Sequence, residues 1–200
     1  MIRFAQTYGL RSVVPTQLVN LDALILRDVL EVEANETLAP AQYRQSFAIG
    51  ELASDNPTYS VLRKPDFQRA TGDWSPEMVA DLVKSFISEE LIPSVILWRS
   101  PGGNLFVIDG AHRLSAFIAW INDDYGDGTI SKAFFQDRIT KPQQLAADKT
   151  RELIETASDA VGSYAALKAA GLIHHSTTER AIIGRKMASN PIPLQWVVGS

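Results

Sequence analysis

Cysteine is missing from all 200 residues of the sequence, and only three histidines occur. The absence of thiols excludes disulfide bonds, thiolate nucleophiles and cysteine-ligated zinc sites. No apolar run approaches the ~20 residues that a membrane-spanning helix needs, and the opening Met-Ile-Arg-Phe-Ala-Gln lacks the apolar core of a signal peptide. We therefore expect a soluble, cytoplasmic protein that uses no cysteine chemistry.

Positive charge is in deficit, because 19 Lys+Arg stand against 23 Asp+Glu and give a formal net charge of -4. Proteins bind nucleic acids largely by neutralising phosphates with basic side chains. An acidic chain is repelled as a whole by such a partner. DNA binding is therefore expected only through a local basic patch or with the help of another protein.

Four widespread functional motifs are also absent from the sequence. There is no Gly-x-x-x-x-Gly-Lys-Ser/Thr, no Gly-x-Gly-x-x-Gly, no Gly-x-Ser-x-Gly and no His-Glu-x-x-His. These motifs define the P-loop, the dinucleotide-binding turn, the nucleophile elbow of α/β-hydrolases and the zincin metal site. Those four classes are excluded.

The middle of the chain contains the patterns of a strand, a helix and a β-hairpin. Thr58 to Leu62 is rich in β-branched and aromatic residues, which predicts a short strand. Ser75-Pro76-Glu77 supplies an N-cap residue, a proline and a first-turn acid, so a helix is expected from about 76 to 89. Apolar runs at 93–99 and 105–109, joined by a Pro-Gly-Gly-Asn turn, predict the hairpin.

Helical spacing replaces the strand pattern immediately after Asp109, with apolar residues at Leu114, Phe117 and Ile121. This predicts a strand, a glycine turn and a helix in succession. The helix is expected to stop at the loop Asp123 to Gly128, which we interpret as a solvated turn and as the one candidate boundary inside the chain.

The two flanks of the chain show mainly helical periodicity. Helices are predicted over 17–34, 40–52, 142–158, 160–171 and 177–189. The last of them is expected to open with a capping box formed by Ser176 and Glu179. Pro193 to Val198 has the pattern of a strand, but no partner for it is evident from the sequence.

These elements predict an α+β fold in which a small mixed sheet is flanked by N-terminal and C-terminal helices. The hydrophobic fraction of 46% is enough for one compact core. We expect an N-terminal helical region at 1–56, the core at 57–128 and a C-terminal helical extension at 129–200.

The segment from Asp109 to Arg113 concentrates several groups that bind phosphate. Glycine at a strand-to-helix turn lets the backbone approach an anion, and the first N–H groups of the helix carry roughly half a positive charge. Arg113 can hold two phosphate oxygens, and Asp109 can bind magnesium or orient the arginine. Singly these residues are typical of a turn, a cap or a solvated charge, but together they predict a phosphate site.

The same segment, Asp-Gly-Ala-His-Arg-Leu-Ser-Ala, resembles the Asp-Gly-Gln-Gln-Arg and Asp-Gly-Gln-His-Arg boxes of the ParB/sulfiredoxin-like superfamily. Upstream, Pro65 to Arg69, then Trp74, a helix and an Ile-Pro-Ser-Val-Ile-Leu strand resemble the N-terminal domain of GmrSD-type restriction enzymes. The resemblance covers about residues 60–122. It implies a ParB/sulfiredoxin-like core.

This resemblance implies nucleotide binding and hydrolysis in a phage-defence or restriction system. Gln68 and Arg69 are then expected to face the Asp109 to Arg113 turn across the ligand. The implied nucleotide-binding residues are Gln68, Arg69, Gly110, Ala111, His112 and Arg113. The implied catalytic residues are Asp109, His112 and Arg113, with Asp109 also the ligand of a Mg²⁺ ion. Trp74 is either a contact for the base or an aromatic packed beneath the following helix.

Related families leave alternatives open. Gly110-x-x-Arg113-x-x-Ala116 follows the phosphate-contacting pattern of ParB CTPases, which implies a DNA-binding or partner-binding module with nucleotide as a switch. The accompanying Glu-Asn-x-x-Arg motif of ParB is absent. Sulfiredoxins carry a catalytic cysteine where this chain has Ala111, so sulfinic-acid reduction is excluded.

Nuclease chemistry is not expected within these 200 residues. The HNH-like motif of the GmrSD nuclease half is absent, and no paired metal-binding carboxylates stand near Asp109 in the sequence. A toxin-like nuclease is the less favoured alternative. We expect the chain to be a fragment or to have a nuclease domain or subunit as a partner.

Overall fold

Strand and helix segments alternate through the chain, and the computed structural model describes them for residues 17–30 and 43–198. This part of the chain contains six strands, which are β1 Leu26–Asp28, β2 Ser46–Ala48, β3 Leu62–Pro65, β4 Val95–Arg99, β5 Leu105–Asp109 and β6 Pro191–Trp196. It contains seven α-helices, which are α1 Pro57–Ser60, α2 Pro76–Ile87, α3 Ala111–Asn122, α4 Thr129–Phe135, α5 Lys141–Glu155, α6 Tyr164–Gly171 and α7 Glu179–Ser189.

The strands form one mixed sheet in the order β1-β3-β5-β4-β6-β2. Neighbours are parallel at β1/β3, β3/β5 and β4/β6, and antiparallel at β4/β5 and β2/β6. The predicted α+β class with a mixed sheet and flanking helices is confirmed. The predicted hairpin is β4 and β5, and the predicted helix at 76–89 is α2.

Helix α3 lies at the centre of the core. Every residue from Leu114 to Trp120 is buried, so this helix is covered on all sides rather than along one stripe. Phe86 of α2 packs against Phe117 and Trp120, with ring centroids 5.1 and 6.5 Å away. The turn that precedes α3 is therefore attached to a helix that is packed on all sides.

The predicted N-terminal helices are wrong within the described residues. The segment from 17 to 30 contains a 3-10 turn at Asp22–Leu24 and strand β1. The segment from 43 to 52 contains β2 and a second 3-10 turn at Ile49–Leu52. Residues 31–34 and 40–42 of the predicted helices lie outside the described part. Of the leucines at near-helical spacing, Leu21 and Leu24 are buried, whereas Leu18 and Leu26 are exposed.

Tertiary hydrogen bonds explain this error. The amide of Val19 donates to the carbonyl of Trp74 at 2.8 Å, and the amide of Leu21 donates to Thr71 at 2.9 Å. These partners lie about fifty positions away, so the bonds replace those of a helix without leaving a local pattern.

The predicted strand at 58–62 is also wrong, because Pro57–Ser60 is the short helix α1. Asn56 caps it by accepting from the amide of Thr58, and proline occupies its first turn. An Asn-Pro pair is a helix-start signal, which outweighed the β-branched composition. The strand follows as β3, which begins at Leu62, the last residue of the predicted strand.

The C-terminal helices are confirmed as α5, α6 and α7 with shifted ends, and α4 is an additional helix. Helix α7 is capped by the Thr178 hydroxyl rather than by Ser176. Strand β6 does have partners, since it pairs with β4 and with β2. Such pairing joins residues about 100 positions apart at β4 and about 145 apart at β2, and it cannot be inferred from local periodicity.

The loop from Asp123 to Gly128 is not a solvated turn. Asp124 is fully buried, and its carboxylate accepts bonds from the amides of Gly126, Gly128 and Ser131. Its acceptor oxygens thereby cap the start of α4. The sheet takes strands from all three predicted segments, and the division at 56 and 128 stays a prediction.

Two glycines allow α6 and α7 to cross in close contact. A β-carbon on Gly184 would lie 2.1 Å from the carbonyl oxygen of Leu167 and 2.9 Å from the amide of Gly171. No side chain fits between these backbones, so the crossing depends on the absence of one. In the described residues no helix is long and apolar enough to cross a membrane.

Candidate functional site

A cavity of about 280 Å³ opens where the parallel strands β3 and β5 end. Carboxyl ends of parallel strands meet at one edge of a sheet, where ligands commonly bind in α/β folds. The loop after β3 and the turn after β5 form its walls. Its lining residues are Gln68, Arg69, Trp74, Ile108, Asp109, Gly110, Ala111, His112 and Arg113.

Gly110 makes the turn from β5 into α3. Its φ of +90° is a conformation that residues with a side chain rarely adopt. A β-carbon there would also lie 3.0 Å from Nη2 of Arg113 and 3.2 Å from Cγ2 of Val95. Glycine is required for both reasons.

We expect Gly110→Ala to lower the free energy of unfolding by about 2–3 kcal/mol, from backbone strain plus crowding of Arg113 and Val95. Gly103→Ala is the matched control, because Gly103 also has positive φ, +88°, but nothing lies within 4 Å of its added carbon. The control should lose about 1 kcal/mol. Equal losses in urea denaturation would show that crowding at Gly110 is unimportant.

The N-terminus of α3 has no side-chain cap. Ser75, Thr140, Ser163 and Thr178 cap α2, α5, α6 and α7 through their hydroxyl oxygens. Gly110 has no side chain with which to do this, so the first N–H groups of α3 remain available beside the cavity. These groups attract an anion by hydrogen bonding and by the helix dipole.

Arg113 is held in place at this turn. Its Nη2 donates to the carbonyl of Ser94 at 3.2 Å and to Oδ2 of Asp109 at 3.0 Å. The Arg113 side chain is 22% exposed and the Asp109 carboxylate 62% exposed. Asp109 therefore orients a guanidinium that still has free donors, which is one of the two roles predicted for it.

Gln68 and Arg69 reach the cavity from the loop after β3, as the family resemblance implied. Nε2 of Gln68 donates to the carbonyls of Val107 and Ile108 at 2.6 and 2.9 Å, which ties its loop to the end of β5. Arg69 is exposed and lines the cavity. Within residues 17–30 and 43–198 its guanidinium makes no hydrogen bond or ion pair, so its charge is available to a ligand.

His112 stacks on Trp74, with ring centroids 5.8 Å apart and planes 18° from parallel. Burial lowers the pKa of His112; Asp73 opposes this, and Lys64 and Arg113 lower the pKa further. The imidazole is therefore neutral at pH 7 and offers a hydrogen bond rather than a charge. Trp74 lines the cavity and is partly buried against the core, and its contact with a base stays a prediction.

No preformed metal cage exists in the described ranges, since no three His, Cys, Asp or Glu side chains cluster there. Asp109 is one exposed carboxylate. Magnesium typically binds to one or two protein carboxylates together with phosphate oxygens and water. The residues present thus fit a metal that arrives with a phosphate ligand, not one held by protein alone.

All seven residues that the sequence and the resemblance suggested lie together around one cavity. Ser94, whose carbonyl holds Arg113, could not be identified from sequence patterns. Neither could Asp22, Arg27 and Lys64, which hold the loop carrying Arg69. Their roles depend on tertiary contacts.

Comparison with known protein families identifies the domain type of this chain. A family model described as the GmrSD restriction endonuclease N-terminal domain matches residues 49–179, more than half of the chain and the whole cavity. No curated protein and no solved structure matches the chain. The predicted resemblance to that domain is confirmed, and the ParB/sulfiredoxin-like assignment of the core stays a prediction.

Proposed function

The chain belongs to the family of GmrSD restriction endonuclease N-terminal domains, and on that basis we propose that its cavity binds and hydrolyses a nucleoside triphosphate. The observation that carries the proposal is the meeting of Arg69, Arg113 and the uncapped end of α3 at one cavity. Two guanidinium groups and a helix N-terminus together complement the charge of a polyphosphate, which no one of these groups would balance alone.

Each cavity residue has a role in this proposal. The N–H groups of Ala111, His112 and Arg113 bind phosphate oxygens, and Gly110 lets the backbone approach them. Arg113 and Arg69 neutralise phosphate charge from opposite walls. His112 donates a hydrogen bond to the terminal phosphate as a neutral imidazole, and Gln68 holds the second wall against β5.

Asp109 has the position to act on the attacking water. Its exposed carboxylate lies next to Arg113 and at the cavity. Hydrolysis forms a bond between a water oxygen and the terminal phosphorus, breaks the bond from that phosphorus to the bridging oxygen, and releases inorganic phosphate, a nucleoside diphosphate and a proton. A carboxylate at this place would orient that water or would hold a Mg²⁺ ion, which would supply further neutralisation of phosphate charge.

The proposed setting is a cytoplasmic restriction or phage-defence system, with a nuclease domain or subunit as the partner that acts on DNA. The family description names a restriction endonuclease. Nucleotide turnover in this domain then controls cleavage that takes place elsewhere in the assembly.

Calorimetry with ATP, GTP and CTP tests the proposal. We expect at least one triphosphate to bind, and we expect Arg113→Ala to weaken it by about tenfold to hundredfold, since a hydrogen bond to a charged group contributes ~1.5–3 kcal/mol. Arg138→Ala is a control, because Arg138 is exposed, bonds Gln136 and does not line the cavity.

Phosphate release with magnesium then separates hydrolysis from binding alone. Release that disappears in Asp109→Asn supports an NTPase. Binding without release supports the alternative in which nucleotide is only a switch. Absence of binding by all three nucleotides, in a folded wild-type protein, contradicts the proposal.

A further inference from the structure

A buried ionic cluster lies behind the loop that carries Gln68 and Arg69. Lys64 is fully buried in β3, and its ammonium donates to the carboxylate and the carbonyl of Asp22 and to Oγ1 of Thr71 at 3.2 Å. The same Asp22 oxygen accepts from Nη2 of Arg27 and from the amide of Thr71, both at 3.1 Å. One carboxylate thus bonds residues of β1, of β3 and of the loop after β3.

The cluster fixes the loop at both of its ends. Nη1 of Arg27 donates to the carbonyls of Asp66 and Gln68, while Thr71 is bound through its amide and hydroxyl. The carbonyl of Thr71 also accepts from the amide of Leu21. Arg69 lies between these fixed points and has no protein partner in the described residues. Its backbone is held while its side chain stays free.

Filling a core with ionic groups stabilises a fold less than filling it with apolar ones. Removing a lysine and an aspartate from water costs several kcal/mol per ion, and apolar residues of similar size stabilise a fold as well or better. The ionic groups add specific geometry, because the Arg27 guanidinium bonds the carbonyls of Asp66 and Gln68 and the Lys64 ammonium bonds the hydroxyl of Thr71. The cluster therefore specifies where the loop lies.

We propose that Asp22, Arg27 and Lys64 are positioning residues that hold Arg69 in place for the phosphates of the nucleotide. This inference rests on the proposed function. Asp22 and Arg27 lie outside residues 49–179, the range of the family match. The segment before the matched domain thus completes its binding site.

Two variants loosen the loop without leaving a buried charge unpaired. Arg27→Met removes the bonds to Asp66 and Gln68 at a partly exposed position. The double variant Asp22→Asn with Lys64→Met removes both charges of the buried pair. Arg63→Met is the control, because Arg63 on the same strand bonds Ser60, Leu62 and Asp28 but no residue of the loop.

Two measurements follow. Hydrogen exchange on the ligand-free protein should be about tenfold faster at the amides of residues 68–71 in both loosened variants than in the control. The dissociation constant of whichever of ATP, GTP and CTP binds the wild type most tightly should rise about tenfold in these variants, but change less than about twofold when the same changes are made in an Arg69→Ala background.

Comparing the variants with and without Arg69 distinguishes a role in positioning Arg69 from a general effect on the fold. An equal loss of affinity with and without Arg69 overturns the positioning role, because the cluster would then act on the whole fold. So does faster exchange with unchanged affinity. A wild-type chain that binds no ATP, GTP or CTP overturns the proposed function itself, and the positioning role falls with it.

Discussion

Replacing Arg69 with alanine is expected to weaken nucleotide binding by about tenfold to hundredfold, because the variant removes a charged donor worth ~1.5–3 kcal/mol. Thermal stability should change by less than about 2 °C. Arg69 is exposed and bonds no other described residue, so the folded state loses no contact. Calorimetry for binding and a thermal melt for stability check the two halves of this expectation.

Arg180→Ala is the matched control, since Arg180 is equally exposed, has no described partner and lies on α7 away from the cavity. It removes the same net charge and should leave affinity within about twofold at moderate salt, where exposed charges beyond ~10 Å are screened. Equal effects of the two variants would mean that Arg69 attracts the nucleotide only through the net charge of the protein.

Gly184→Ala is expected to lower the free energy of unfolding by at least about 3 kcal/mol. Helix propensity alone predicts the opposite sign, since alanine favours a helix over glycine by ~1 kcal/mol. The added carbon would lie 2.1 Å from the carbonyl oxygen of Leu167, so α6 and α7 must separate. Urea denaturation therefore measures whether packing or propensity dominates at this position.

Gly102→Ala is the corresponding control. The nearest atom to its added carbon is Oγ of Ser100 at 3.9 Å, and its φ is not positive. Its stability should change by less than about 1 kcal/mol. A stabilised Gly184→Ala variant would contradict the close crossing of the two helices.

Those parts of the fold that local signals encode could be predicted from the sequence. Ser75-Pro76 marks the start of α2, and the Pro-Gly-Gly-Asn turn marks the β4–β5 hairpin. Gly110 marks the change from strand to helix. Each of these signals acts within a few residues of its own position, so no tertiary information is needed to interpret it.

The errors in the N-terminal segment and at β6 fall where distant partners decide the conformation, whereas the strand expected at 58–62 is a helix with a local start signal. Val19 and Leu21 bond residues near Trp74, and β6 pairs with β4 and β2. The Asp123 to Gly128 loop was misinterpreted for another reason, because its acidic composition suggested solvent exposure. Asp124 instead accepts three backbone N–H bonds inside the fold, which lowers the cost of burying a carboxylate.

The candidate site was predictable for a different reason. Strand β5 and α3 place Asp109 to Arg113 at one edge through local turn chemistry, but only the family resemblance indicated that Gln68 and Arg69 lie opposite. The parallel pairing of β3 with β5 brings the two loops to the same edge. Spacing in the sequence could not show this, since α2 and β4 intervene.

The position of strand β6 affects the order in which the protein folds during synthesis on the ribosome. It lies between β4 and β2, an interior position, although it is made after every other described strand. Until residue 196 has emerged, β4 and β2 each expose an unpaired backbone edge. Strands β3 and β5, which carry the cavity, are synthesised much earlier than β6. The nascent chain can therefore form a ligand site before its sheet is complete.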